Sequence, residues 1–272
     1  MRCFALLPFV IATSGAVLTT PAQACGKETD CALGDHTYRI QLPEGHDKTA
    51  PLGALIFAHG YKGSARSTMR NASLLALADK LGLALVAVDA IKDDWSIPNA
   101  PSQSTSESVD EIAYFDTLRA DLVQRHAIDP MQSVVTGFSA GGMLVWNLAC
   151  SRPQDYAGFV PISGTFWDPV PQGCETPVAN IIHIHGTTDK IVPLAGRPIA
   201  ETKQGSLDDA FAMYLALGQH KTTNAPQIDD NLTCQAWQSA SDTRLMKCLH
   251  PGGHGFKASY IEGAWAELMR PR

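Results

Sequence analysis

The chain has 272 residues, of which 45% are apolar and 18% charged, with a formal net charge of −6. That length holds a substantial buried core, and the apolar fraction excludes a disordered chain. The negative balance and the lack of a basic stripe exclude nucleic acid as a partner, and no charge run is long enough to point to another.

Residues 1–24 read as a signal peptide. Arg2 gives a short positive start, Phe4 to Val17 is apolar, and Pro21-Ala22-Gln23-Ala24 ends in an Ala-x-Ala cleavage pattern. The apolar run falls short of the roughly 20 residues a membrane span needs, and Thr13, Ser14, Thr19 and Thr20 interrupt it. No stable span is expected, and the mature chain is expected to be secreted or periplasmic. Cys25 follows the cut, so lipid attachment is the competing reading; Ala22 stands where a lipoprotein signal usually has Leu.

Beyond the signal, His36 to Leu42 alternates polar and apolar residues like an edge strand. Leu52 to Ala58 is an unbroken apolar run ending in His59-Gly60, the pattern of a strand buried on both faces of a parallel sheet. Ser67 to Leu81 has helical spacing, and Leu83 to Val88 is a second buried strand ending at Asp89. After a serine- and proline-containing loop at 92–106, Ser108 to His126 forms a long helix. A short strand, Ser133 to Thr136, runs into a helix over Gly141 to Cys150. Strands at Gly158 to Ile162, Ile181 to Ile184 and Leu245 to Leu249, with helices at Ser206 to Leu217 and Ala258 to Met269, complete the pattern. Strands alternating with helices predict an α/β three-layer sandwich: a mostly parallel sheet flanked by helices, in one domain over 25–272.

Cys3 lies in the signal, which leaves Cys25, Cys31, Cys150, Cys174, Cys234 and Cys248. An even number in an exported chain fits disulfides, and six cysteines allow fifteen pairings. Nearest neighbours in the chain give 25–31, 150–174 and 234–248. No CxxC and no His-Cys cluster at ligand spacing appears in the sequence, so no metal site is expected.

Gly137-Phe138-Ser139-Ala140-Gly141 lies between a β-branched strand and a helix. That order is what a nucleophile elbow needs: the serine sits on a strained turn, and the glycines let two backbones cross closely. The helix start also brings N–H groups and a positive dipole end to the site of developing charge. A serine hydroxyl needs a base, which itself needs an orienting carboxylate. With this elbow the acid and then the histidine follow the serine in the chain. His254, in Pro251-Gly252-Gly253-His254-Gly255-Phe256 after a strand, is the candidate base, with His250 second. His183 reads as a strand residue, His185 as a residue ordering the next turn, and His220 as a surface residue. Asp189 directly follows the Ile181 to Ile184 strand and is the candidate acid, ahead of Asp168, Asp229 and Asp242. The backbone N–H of Ala140 and that of Tyr61, in the loop after the first buried strand, are the candidate oxyanion donors. Trp95, Tyr61 and Trp167 are candidate substrate-binding aromatics, with Phe166 beside them. His59 is expected to brace its loop and Trp146 to lie in the core.

Together these segments resemble the extracellular polyhydroxybutyrate depolymerase and feruloyl esterase group of α/β-hydrolases. The resemblance rests on His59-Gly60, Trp95, Gly137-Phe138-Ser139-Ala140-Gly141-Gly142-Met143, His185-Gly186-Thr187-Thr188-Asp189-Lys190-Ile191-Val192-Pro193 and Gly253-His254. It implies the α/β-hydrolase fold, a Ser139, Asp189 and His254 triad, no cofactor, and an ester substrate, whether small, oligomeric or polymeric. Polyhydroxyalkanoates, phenolic esters and acetyl groups on xylan are the substrates it suggests. Two departures favour a soluble or oligomeric ester over a crystalline polymer. Phe256-Lys257 stands where many relatives have Trp-Pro, and no separate binding domain is visible. A monomer is expected. A peptidase on the same fold and a non-catalytic binder are the rival classes.

Overall fold

The computed structural model describes residues 25–46, 50–102 and 109–271. The signal peptide expected at 1–24 lies outside these residues, as does Ser108 at the expected start of the long helix. In chain order the strands are β1 (Cys31–Leu33), β2 (His36–Gln41), β3 (Ala54–Ala58), β4 (Ala84–Val88), β5 (Val134–Phe138), β6 (Gly158–Ile162), β7 (Ile181–Gly186), the small pair β8 (Pro198–Ile199) and β9 (Thr202–Lys203), β10 (Lys221–Thr223), β11 (Thr233–Gln238) and β12 (Arg244–His250). The helices are α1 (Ala65–Thr68), α2 (Ala72–Lys80), α3 (Glu111–His126), α4 (Ala140–Ser151), α5 (Leu207–Leu217) and α6 (Ala258–Leu268).

Ten strands form one sheet in the order β1-β2-β4-β3-β5-β6-β7-β12-β11-β10. The six central strands, β4 to β12 in that order, run parallel, and antiparallel strands close both edges. The expected three layers follow from strand alternation. On β3, Ala54, Ile56 and Ala58 face a core built with α3, α4 and α5, whereas Leu55 and Phe57 face a second core built with α1, α2 and α6. Both faces of the central strands are therefore covered, which explains their unbroken apolar runs.

The expected helix over 67–81 is two helices. Asn71 accepts from the N–H groups of Ser73 and Leu74 and so starts α2 afresh. Three disulfides, Cys25–Cys31, Cys150–Cys174 and Cys234–Cys248, follow the nearest-neighbour pairing. The last bridges directly opposed positions of β11 and β12. No helix among the described residues is long and apolar enough to cross a membrane.

Candidate active site

The site lies at the carboxyl ends of the parallel strands, where ligands of open α/β sheets bind. Ser139 directly follows β5 and precedes α4, with φ 59° and ψ −120°. Such a conformation is costly for a residue with a side chain and persists only where the surroundings enforce it. Here they do. A Cβ on Gly141 would come within 2.1 Å of the Ala58 carbonyl oxygen, and one on Gly137 within 2.4 Å of the Gly141 carbonyl oxygen. Glycine at both positions lets α4 fold back across the ends of β3 and β5. A serine at a helix start ordinarily accepts from the first-turn N–H groups. Ser139 makes no such bond, so its hydroxyl stays available for chemistry.

Asp189 and His254 come from the loops after β7 and β12, which are adjacent parallel strands. The loops zip together through Thr187 N–H to the His250 carbonyl, 2.8 Å, and Thr188 N–H to the Gly252 carbonyl, 3.1 Å. His254 Nδ1 lies 2.7 Å from Asp189 Oδ2. Asp189 Oδ1 accepts from the N–H groups of Ile191 (2.8 Å) and Val192 (2.9 Å). Burial by itself would raise the Asp189 carboxyl, but donors from His185, Val192 and His254 outweigh it and hold the group well below the ordinary carboxylate range. The His254 ring packs on Phe138, the neighbour of Ser139, with centroids 4.6 Å apart. With Nδ1 engaged by the carboxylate, Nε2 is the nitrogen left to act as a base.

The loop after β3 reaches the same spot. A Cβ on Gly60 would lie 3.3 Å from Ser139 Cβ, so this loop touches the elbow. Gly63 N–H closes a turn onto the Gly60 carbonyl at 2.8 Å, and the N–H of Tyr61, second in that turn, takes no part in the closing bond. Ala140 N–H begins α4, where no intrahelical acceptor exists. His59 braces the loop as expected. Its Nδ1 lies 2.8 Å from the Gly60 carbonyl oxygen, and its Nε2 lies 3.4 Å from Asp89.

Ser139 opens onto a cavity of about 870 Å³, within the range of small-molecule sites. Ala140, Met143, Trp167, Ile199 and Gln204 also line it. Tyr61 and Ile191 stand exposed at it, at 58% and 51%. Asp93 and Asp94 add acid groups, and burial pushes the Asp94 carboxyl above its ordinary value against donation from the Trp95 N–H.

Of the three aromatic candidates, Tyr61 and Trp167 line the cavity and Trp95 does not. Trp95 is fully buried, donates its indole N–H to the His59 carbonyl at 2.8 Å and packs against the His59 ring. Its position in a loop suggested a pocket wall, but the loop folds inward and uses the ring as a core strut. Phe166 is likewise buried, against Trp146. Asp94, Ile199 and Gln204 escaped the sequence reading, and Met143, though part of the elbow motif, was given no place in the pocket. Nothing local marks these residues as cavity walls, and only the tertiary fold brings them together. Among the described residues, Cys25, Cys31 and His126 lie at metal-ligand spacing, but the two sulfurs are joined in a disulfide.

Residues 93–214 match the phospholipase/carboxylesterase family. A putative esterase, NocK, from Nocardia uniformis subsp. tsuyamanensis is 28% identical over 182 residues, covering 64% of this chain and 51% of that protein. Probable feruloyl esterase C from Aspergillus niger is 24% identical over 185 residues, covering 63% of each. The chain thus spans between half and two-thirds of the length of these two relatives. Among solved structures, an acetyl xylan esterase from Aspergillus awamori superposes with a TM-score of 0.61 at 12% identity, covering 86% of this chain and 94% of that one. A structure of esterase PE8 gives 0.55 at 17% identity, with 86% and 97% covered. The chain therefore has the α/β-hydrolase fold, and within it residues 93–214 match the phospholipase/carboxylesterase family.

Proposed function

We propose that this protein is a serine esterase that hydrolyses carboxylic esters through an acyl-enzyme on Ser139. The observation that carries the reading is the uncapped, strained Ser139 facing a cavity beside a 2.7 Å His254–Asp189 pair. His254 takes the hydroxyl proton as Ser139 attacks the ester carbonyl, and the N–H groups of Ala140 and Tyr61 hold the oxyanion. The alcohol leaves with the proton from His254. Water then enters, gives a proton to His254 and releases the acid, restoring the serine. Asp189, held ionised by its donors, keeps the imidazole in the tautomer with its proton on Nδ1 and steadies the cation. The protein works in an oxidising compartment, secreted or periplasmic, as three disulfides and the expected signal peptide suggest.

The favoured substrate is an ester of an aromatic acid such as ferulate. Two supports converge on it: relatives named feruloyl esterase C, and a cavity lined by Met143, Trp167, Val192 and Ile199 that suits a flat apolar acyl group. A second reading, an oligomer of hydroxyalkanoate, draws on the exposed Tyr61 and Ile191, which offer an apolar landing for a polyester chain. A panel of methyl ferulate, acetylated xylan and hydroxybutyrate oligomers separates these. The highest kcat/KM is expected on methyl ferulate. Turnover of none of the three, with an unreactive p-nitrophenyl acetate control, would refute the esterase reading.

A further inference from the structure

β7 carries two histidines, His183 and His185, on the face it turns toward α4 and α5, while Ile182 and Ile184 point into the opposite core. Both histidines are wholly buried. Imidazoles in a core are costly unless each ring nitrogen has a partner. Here each has one. Trp146 Nε1 lies 3.2 Å from His183 Nδ1, and His183 Nε2 lies 3.0 Å from His185 Nδ1. His185 Nε2 is 2.8 Å from the Val192 carbonyl oxygen and 3.4 Å from Asp189 Oδ2. The acyl-transfer steps use none of these three side chains.

The chemistry of the partners fixes every proton in this row. An indole N–H can only donate, so His183 Nδ1 must offer its lone pair and carry its proton on Nε2. That proton needs an acceptor, so His185 Nδ1 also offers a lone pair and its proton sits on Nε2. This last N–H faces only acceptors, the Val192 carbonyl and the Asp189 carboxylate. Reversing either ring would set two N–H groups or two lone pairs against each other.

We propose that Trp146, His183 and His185 form a hydrogen-bond relay of fixed polarity that positions Asp189, and through it His254, relative to the helix bearing Ser139. The catalytic part of this rests on the esterase reading. Trp146 lies about two helical turns along α4 from the serine, so the relay ties the helix that presents the nucleophile to the loop that presents the acid, through the core. All three residues are positioning residues: no proton travels along the row. Each N–H points toward the carboxylate, and oriented dipoles in a dry interior are little screened.

Other titratable groups surround the row. Lys247 on β12 is the register partner of His183 and pairs with Asp208 on α5 at 3.1 Å. His250 lies further along β12, and Tyr214 on α5 packs on the Trp146 ring. Asp189 and His254 complete the set. Burial first, then His185 and Lys247, hold His183 well below the ordinary histidine value.

Two measurements test the relay. In protein labelled with ¹⁵N-histidine, long-range proton–nitrogen correlation reads each tautomer directly. His183 and His185, assigned through His183→Gln and His185→Gln, are both expected in the Nε2–H tautomer at about pH 7.5. An Nδ1–H tautomer of either ring overturns the proposal, and this arm needs no activity. In the kinetic arm, ester turnover is expressed per fluorophosphonate-reactive site. His185→Leu should lower kcat about 10- to 100-fold with KM within about twofold, as losses of outer partners typically do. His185→Gln, which keeps a donor, should recover most of it. Equal losses in both variants, or full kcat in His185→Leu, contradict the positioning role. If His185→Leu does not fold, the tautomers of the unaltered protein still decide. A wild-type protein that neither binds fluorophosphonate nor turns over ester fails the esterase reading instead, whatever the tautomers show.

Discussion

Ser139 holds a backbone conformation that costs on the order of 1–3 kcal/mol for a non-glycine residue. Its side chain also forgoes the cap bond that a serine at a helix start ordinarily makes. Both features fit a hydroxyl aimed into a cavity and neither helps the fold, so Ser139→Ala should leave unfolding unchanged or slightly improved while ester turnover falls at least about 10⁴-fold. Paired kinetics and urea melts check this; near-full activity would contradict it. Asp189→Asn should likewise cost about 10⁴-fold in kcat, because an amide offers His254 Nδ1 no carboxylate and favours the wrong tautomer. Measured rates on p-nitrophenyl acetate within tenfold of wild type would remove Asp189 from the mechanism. These candidates were legible in the sequence because each sits in a short motif at a strand end, and that placement, not chain order alone, set Asp189 and His254 ahead of their rivals. Trp95 misled for the opposite reason: whether a loop aromatic faces a cavity or the core depends on how the loop folds, and the donation to the His59 carbonyl that turns it inward has no local signature.

At the scale of elements, α4 does two jobs: it presents Ser139 and it crosses β3 at backbone contact distance. Gly141→Ala would place a methyl 2.1 Å from the Ala58 carbonyl oxygen. Backbone cannot yield cheaply there, so α4 must lift. The expected result is a loss of about 2 kcal/mol or more in stability, in the range of overpacked cores, together with a large fall in kcat. Wild-type stability by urea unfolding would show that α4 does not approach so closely. The end of α4 is tied by Cys150–Cys174, which closes a loop with a sequence separation of 24. Replacing both cysteines with alanine should cost about 2–4 kcal/mol. The buried parallel strands were readable as unbroken apolar runs. β1, β10 and the β8–β9 pair were not, because short edge strands have one or no buried face to impose a pattern, and neither was β11, which lies inside β10 with a mostly exposed or half-buried surface. The break between α1 and α2 was missed because a side-chain cap at Asn71 interrupts apolar spacing that otherwise continues.

For the whole molecule, the buried histidines predict how stability changes with pH. Burial is the main cause that lowers both His183 and His250 below the ordinary value. The unfolded chain therefore takes up protons that the folded chain refuses as pH drops below about 6.5. Stability from these groups is complete above that value and is lost below it, by up to about 1.4 kcal/mol per pH unit for each histidine. Asp189, held low, adds a further loss only below the ordinary carboxylate range. Asp94, held high, works in the other direction, favouring the folded state until pH rises through its folded value. Urea unfolding should thus give a lower free energy at pH 5.5 than at 7.5; an equal or higher value would mean that the histidines titrate freely in the fold. The overall architecture was legible because alternating strands and helices leave few ways to cover a parallel sheet. The cavity was not, since its walls come from the elbow helix, a loop after β4 and the β8–β9 hairpin. The account turns on one reactive hydroxyl, and a fluorophosphonate probe followed by intact-mass and peptide mapping tests it most directly. The result predicted is a single adduct per chain, on Ser139, absent from Ser139→Ala; no adduct on the folded protein, or one placed on another residue, would contradict it.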